Sequence, residues 1–536
     1  MYSDERLYKA FLAEMQALEG FRMAYASEHP AAPLGREDPD VRRMVEALAF
    51  FAARSRLAGQ GSIAAVRRRL LRQVLPYLLA PLPAMGLVQA TPTGRFSETA
   101  VLPRGTEMEL RGSGASAIFR TLRELRVLPL TLGRVDAVPR ADGGTRYLLP
   151  FQAPYPRNDA IGRLSLRVDF LDDYPASLSM VHALRRHLRG VSVSFEERVD
   201  GETRGAPCQV SFGLGAEDLE EAWPHPIERE RGWFQFPAAD LFMDVEVAEP
   251  PRNWRRFVLC VDVDAGWPRG LRLSRNVLQL FSVPVVNVQR CMCQPIVADG
   301  TRTQLPIRHP RPAMRMELQS VHGVYRVTEG GLVPLRPGAL AGGSGSYELA
   351  QSELPDGRRV HELWLHLPEA FVAPATVVVD GAWCQPWFRP SSGEKVAVAP
   401  YRRAIAGLEW EVGGSFAPYR AGELDGDMDA LMHVLVLQNK SRMDRDDLDT
   451  LLQGLGSVWA GPFAAVRALL GRVDVREVPM QRPGGPTGVK LVYELRMREH
   501  EAGLDPLIEA FAGRVQRILD AWISEAPVEV RVGRDG

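Results

Sequence analysis

No stretch of this chain approaches the roughly 18 consecutive apolar residues that a membrane-crossing helix needs. The sequence therefore predicts no direct membrane insertion, and any membrane contact would run through a partner. The start, Met1-Tyr2-Ser3-Asp4-Glu5-Arg6, is polar and leads into an amphipathic segment rather than a secretory signal, which predicts a cytoplasmic protein. Cysteine is scarce: five residues in 536, at 208, 260, 291, 293 and 384. An odd, sparse set does not make a disulfide framework, and reduced thiols are expected. A charge excess of either sign is also missing, with 65 Lys and Arg against 66 Asp and Glu, so nothing asks for a nucleic-acid partner. There is no phosphate-binding Walker loop, no dinucleotide fingerprint and no GxSxG nucleophile elbow. Internal repeats and long low-complexity segments are absent too.

What the chain does have is enough length and apolar content, 46% of residues, to bury more than one core. The first 80 residues carry a helical period. Tyr8, Phe11, Leu12, Met15 and Leu18 share one helix face. Pro30 and Pro33 break the chain, and Asp38-Pro39 gives a cap followed by proline at the first turn. Val41, Met44, Val45, Leu48 and Phe51 repeat the period. Gly59 and Gly61 then predict a second break, with Ser62 capping a third helix that ends before Pro76. From about Met85 the texture changes to short alternating runs between Gly, Pro and Asp. Examples are Leu164–Phe170, Val191–Phe195, Phe257–Val263 and Ala375–Asp380, which read as half-buried antiparallel strands. One helix is expected near Pro175–Arg189 and a loop at Gly338–Ser346. Helical periodicity returns from about Gly426. The strongest amphipathic helix holds Leu507, Ile508, Phe511, Val515, Ile518, Leu519 and Trp522, with strands at Lys490–Arg496 and Val528–Val532 on either side. The expected class is a multidomain α+β protein. It would have an amino-terminal helical region (1–84), two β-rich sandwich- or barrel-like domains (85–260 and 261–400) and a mixed carboxy-terminal domain (401–536).

Five motifs suggest chemistry and each has a plainer reading. His361-Glu-Leu-Trp-Leu-His366 fails as a zinc-protease helix. Its histidines are five apart rather than four, and on a strand they point to opposite faces. Asp425-Gly-Asp-Met-Asp429 begins like a calcium loop, yet Ala430 and Val436 stand where Gly and Glu are required, so it reads as a turn before an acidic helix start. Cys291-Met-Cys293 lacks the further ligands of a metal site and reads as ordinary thiols. Arg67, Arg68, Arg69 and Arg72 could meet an acidic partner or a phosphate, and otherwise form a solvated helix face. Asn439-Lys-Ser441 has no secretory context to make it a glycosylation acceptor. From the residues alone, no catalytic site, cofactor or metal is expected.

Several ordered segments carry a family resemblance. Asp38–Arg54 (DPDVRRMVEALAFFAAR) and Gln73–Gln89 (QVLPYLLAPLPAMGLVQ) resemble consecutive segments of the TssF family. Leu102-Pro-Arg-Gly-Thr106 is similar to its IPRGT, and Phe119-Arg-Thr121 to its FRT. Further on, Asn276–Asn287 (NVLQLFSVPVVN) and Glu317–Tyr325 (ELQSVHGVY) are similar to later family segments. The likeness is dense over roughly 1–130 and 255–330. One departure is local: the family's acidic DDEFPEL stretch is replaced by Leu57-Ala-Gly-Gln-Gly-Ser62.

The resemblance implies a structural wedge protein of a type VI secretion baseplate, a contractile injection system. It would join a second copy of itself and a TssG-like wedge protein around the spike hub. It would also contact a TssK-like adaptor and a TssE-like sheath-linking protein, reaching the inner membrane only through such partners. Helix-bundle assembly would use Tyr8, Phe11, Leu12, Met15, Val41, Val45, Leu48 and Phe51, an apolar stripe with little of its own to pack on. Two rival expectations remain open. One is a baseplate protein of a phage-tail-like extracellular injection system. The other is a carbohydrate-active β-sandwich enzyme, whose mark would be two carboxylates about 5–10 Å apart in a cleft.

Overall fold

The structure is a computed structural model that describes residues 2–29, 39–112, 115–220, 222–338, 344–353, 359–390, 394–414, 416–422, 424, 428–456, 458, 461–480 and 488–534. The chain divides into two units, Met1–Leu75 and Pro76–Gly536.

The first unit is helical, with α1 (Tyr2–Glu28) and α2 (Pro39–Val74) packed together. Pro39 opens α2, where a missing N–H costs nothing and φ is already helical. The break expected at Gly59 and Gly61 does not occur: α2 runs unbroken for 36 residues, and the helix expected to start at Ser62 is its second half. Glycine in a helix interior costs only about 1 kcal/mol against alanine, which lowers helix stability without forbidding the conformation. The seam between the helices is built from small residues. Ala49 and Ala53, one turn apart, are fully buried, while Val45 and Leu57 on the same row are half-buried. Glu14 of α1 pairs with Arg56 of α2 at 2.8 Å. That pair lies a similar number of residues from the α1 end and the α2 start, so the two helices run antiparallel. The pair also turns the half-buried row Leu7, Phe11, Met15 and Leu18 of α1 toward α2.

The second unit is mostly sheet. A six-stranded sheet has the order Ala397–Pro400, Glu107–Gly112, Ala115–Thr121, Ser282–Val286, Met85–Pro92 and Leu408–Val412. Its members come from three distant stretches of sequence, and Met85–Pro92 is antiparallel to both its neighbours. A nine-stranded sheet centres on Trp254–Val263, flanked by Leu188–Ser194 and Thr145–Arg157. A third sheet, around Ala375–Cys384 and Glu317–Thr328, packs on a fourth around Arg359–His366 and Ser346–Glu353. The core between them includes Val377, Val379, Val324, Leu363 and Trp383. Pairing is antiparallel except at Arg336–Pro337 with Ser346–Glu353, and at Gly488–Met497 with Val528–Arg534.

Helices close the ends of these sheets. α3 (Tyr174–His187) is capped by Asp173, whose side chain accepts from the Ala176 N–H. α4 (Pro226–Gln235) carries a capping box between His225 and Glu228. α5 (Met428–Leu437) and α6 (Arg445–Gly454) precede the carboxy-terminal sheet, and Asp444 caps α6 by accepting from the Asp446 and Asp447 N–H groups. α7 (Asp505–Trp522) carries the chain between the two parallel strands, the crossover that parallel pairing demands. All seven of its predicted apolar positions are buried. The fold class is α+β, with a helical start, an antiparallel β middle and a mixed carboxy-terminal region.

Two buried arginines tie the second unit together. Arg231 of α4 is 2% exposed and donates to the backbone carbonyls of Tyr77, Ala80 and Leu455. Arg123 pairs with Asp244 at 3.0 Å, both almost wholly buried, with the guanidinium 4.0 Å from the centre of the Phe242 ring. Such a pair costs desolvation on both sides; Asp244 has a second partner in Arg163, whereas removing Asp244 would strip the buried Arg123 of its paired carboxylate.

Candidate partner-binding surface

The unit holds two helices of about seven and ten turns. Two helices have one mutual seam, and here it is filled largely by alanine. Among the described residues of this unit only Ala49, Ala53 and Leu75 are buried. The large apolar side chains are elsewhere. Tyr8, Leu12, Phe21 and Met23 on α1 are 41–66% exposed, and so are Met44, Leu48, Phe51, Ile63 and Val66 on α2, with Phe50 at 39%. Met44, Leu48 and Phe51 step by four and three, so they form one stripe along α2. Tyr8 and Leu12 do the same on α1.

The eight predicted residues therefore divide. Tyr8, Leu12, Leu48 and Phe51 are exposed, while Phe11, Met15 and Val45 are half-buried on the faces that the two helices turn to each other. The side chain of Val41 lies outside the described residues. Met44, Phe21, Met23, Phe50, Ile63 and Val66 were not in the predicted set. Met44 could have been found from its place four residues before Leu48. Phe21 lies three residues after Leu18, and Met23 eleven residues, about three turns, after Leu12, so the period of α1 could have found both.

The other motifs resolve into structural roles. His361 and His366 lie on the strand Arg359–His366, and His366 pairs with Glu348 at 3.7 Å. Residues 425–427 lie outside the described residues, and Asp429 sits in the first turn of α5. Cys291 Sγ lies 3.5 Å from His309 Nε2, and Cys293 Sγ accepts from the Val379 N–H. Burial pushes both thiols up from the ordinary range, so neither is poised as a thiolate. Among the described residues, no group of three or more His, Cys, Asp or Glu could hold a metal ion. None of their helices is long and apolar enough to cross a membrane.

Residues 3–199, which begin in α1 and span the whole helical pair, match the family model described as Type VI secretion system, TssF. The resemblance is to TssF. That match covers somewhat over a third of the chain, and no curated protein matches it. Among solved structures, a chain of the type VI secretion TssK-TssF-TssG baseplate subcomplex superposes with a TM-score of 0.69 at 17% identity. The alignment covers 92% of this chain and 96% of that one. A chain of the baseplate complex from the type VI secretion system gives 0.58 at 16% identity, covering 98% and 96%. At such identities the likeness establishes the fold, which extends well beyond the TssF match to nearly the full chain.

Proposed function

We propose that this chain is a structural wedge component of a type VI secretion baseplate rather than an enzyme. The helical pair is its assembly element. One observation carries the reading: ten large apolar side chains stand exposed on a unit that buries only three described residues. A unit with so little private core gains its stability by burying those faces against other chains, and obligate interfaces of this kind remove about 2,000 Å² or more from water. The fold likeness to a chain of a TssK-TssF-TssG subcomplex supports a TssG-like wedge protein as one occupant, and a second copy of this chain would be the other. A TssK-like adaptor would contact the same wedge, and a TssE-like sheath-linking protein and the spike hub would follow in the assembled baseplate. The protein would then work in the cytoplasm, at the inner membrane through those partners. The test is co-purification of the full chain with the TssG-like protein. Leu48→Asp with Phe51→Asp is expected to abolish it while the sheet unit keeps its circular dichroism and melting temperature. Undiminished co-purification would overturn the assembly role.

A further inference from the structure

A cleft of about 230 Å³ opens in the second unit where the end of α4, the segment Phe416–Arg420 and Gly461-Pro462 meet. α4 stops at Gln235 because Pro237 cannot continue a helix and biases the residue before it toward extended backbone. The chain turns there, and the corner presents Phe234, Gln235 and Phe236 to the cleft. Tyr174 and Phe416 complete an aromatic wall of four rings. The core holds these rings from behind. Phe416 packs on Phe119 and Phe388, with ring centres 5.6 and 6.0 Å apart, and Phe234 packs on Phe463 at 5.2 Å. An apolar cavity of about 150 Å³ takes benzene, so this cleft has room for about two fused rings. Small-molecule sites have this build: mostly apolar walls and a few placed polar groups.

Three polar groups lie at the cleft. Gln235 Nε2 donates to the Pro418 carbonyl at 2.7 Å, which fixes the amide and leaves Oε1 as an acceptor. Gln235 is 9% exposed, and neither its Oε1 nor the Tyr174 hydroxyl oxygen has a hydrogen-bond partner among the described residues. An acceptor left unpaired in the interior is costly, and a ligand N–H would relieve it. Burial, and then Asp240, push the Tyr174 hydroxyl above its ordinary range, so it stays protonated. Arg420 is the one charged side chain among the described lining residues; it is exposed and makes no ion pair with any described residue. A single cation at the mouth favours an anion. We propose that this cleft binds a small planar aromatic acid of indole size. Its ring lies among the four aromatic side chains, its N–H donates to Gln235 Oε1 and its carboxylate turns toward Arg420.

The experiment titrates the full chain with indole-3-acetate and follows the ligand by saturation-transfer NMR. Binding is expected with a dissociation constant of about 1 mM or tighter, as a ligand of this size in a formed apolar cleft allows. Benzofuran-3-acetate keeps the shape and charge but replaces the N–H with a ring oxygen. It should bind about tenfold or more weakly, because it sets an acceptor against Oε1. Indole-3-acetamide should bind about two- to fivefold more weakly than the acid, the worth of one exposed ion pair, and Arg420→Gln should weaken the acid alike. Ala417→Trp fills the cleft and should abolish binding. Arg420→Gln changes an exposed side chain and keeps the test decisive if that first variant fails to fold. A free acid and a polypeptide ending in tryptophan both present this chemistry. Tighter binding of acetyl-Gly-Trp than of indole-3-acetate assigns the site to a chain end, and the reverse order to the free acid. No binding at about 10 mM of either ligand would overturn the inference, as would equal binding of the benzofuran acid or binding that a folded Ala417→Trp leaves intact.

Discussion

Phe51 gives the sharpest test of whether the helical pair is an interface. The ring is 64% exposed in the free chain. A phenylalanine presents about 200 Å², so docking would remove on the order of 130 Å² from water, about 3 kcal/mol at 25 cal/mol per Å². Phe51→Asp forfeits that burial and also places a carboxylate where an apolar partner surface would close. Affinity should fall by at least about 100-fold, since each 1.4 kcal/mol is a factor of ten. The free chain loses almost nothing, because an exposed side chain away from caps and ion pairs contributes within about 0.5 kcal/mol. The assay pairs sedimentation of the chain with the proposed TssG-like partner against thermal unfolding of the chain alone. Phe51→Leu should retain most of the association and Phe51→Asp very little, at one melting temperature. A destabilisation above about 1 kcal/mol would mean that the ring packs within its own chain. Unchanged association would mean that the face is idle. Either result refutes the argument.

Three further outcomes are expected. Arg231→Met removes three donors and leaves the carbonyls of Tyr77, Ala80 and Leu455 without them, so denaturant unfolding should show a loss of about 3–5 kcal/mol. A loss under about 1 kcal/mol would show that water replaces the guanidinium. Gly59→Ala with Gly61→Ala should raise helix content and slow amide exchange along α2, by up to about 1 kcal/mol per site. A Cβ at either position meets nothing within 4 Å, so destabilisation would instead indicate that the glycines serve a break in the helix. The Asp444 carboxyl lies below its ordinary range, chiefly through the Asp447 N–H. Its contribution to α6 is therefore present above the ordinary carboxylate pKa and is lost as pH falls through the lowered value. Asp444→Asn should remove that acid dependence from amide exchange in α6 at little cost near neutral pH, whereas Asp444→Ala should cost about 1 kcal/mol there. An unchanged acid limb in Asp444→Asn would assign it to other groups.

Local structure was legible in the sequence wherever periodicity and chain chemistry agreed. α7 with its seven inward positions, α3 near Pro175, and the strands around 257–263 and 375–380 all follow from spacing that a single element imposes. The unbroken course of α2 was not legible, because Gly59 and Gly61 weaken a helix by an amount that sequence spacing cannot weigh against the rest of a 36-residue run. Strand partners were not legible either. Met85–Pro92 pairs with residues about 200 and 320 positions away, and nothing local encodes that choice. At the surface, the period found Tyr8, Leu12, Leu48 and Phe51. The same period does not tell which half of the stripe faces the sister helix, and it places Phe11, Met15 and Val45 in one group with them. Only the alanines at 49 and 53, which let the helices approach, decide that division.

The interleaved six-stranded sheet sets a timetable for synthesis. Met85–Pro92 leaves the ribosome early but gains its two flanking strands only when Ser282–Val286 and then Leu408–Val412 have been made. At 5–20 residues per second the second wait lasts on the order of 15–60 s. During that time an apolar strand carries an open edge, the kind of template on which nascent chains aggregate. Chains cut short before residue 408 never cover that edge, so a premature stop would yield a product prone to clumping and degradation rather than one that enters an assembly and blocks it.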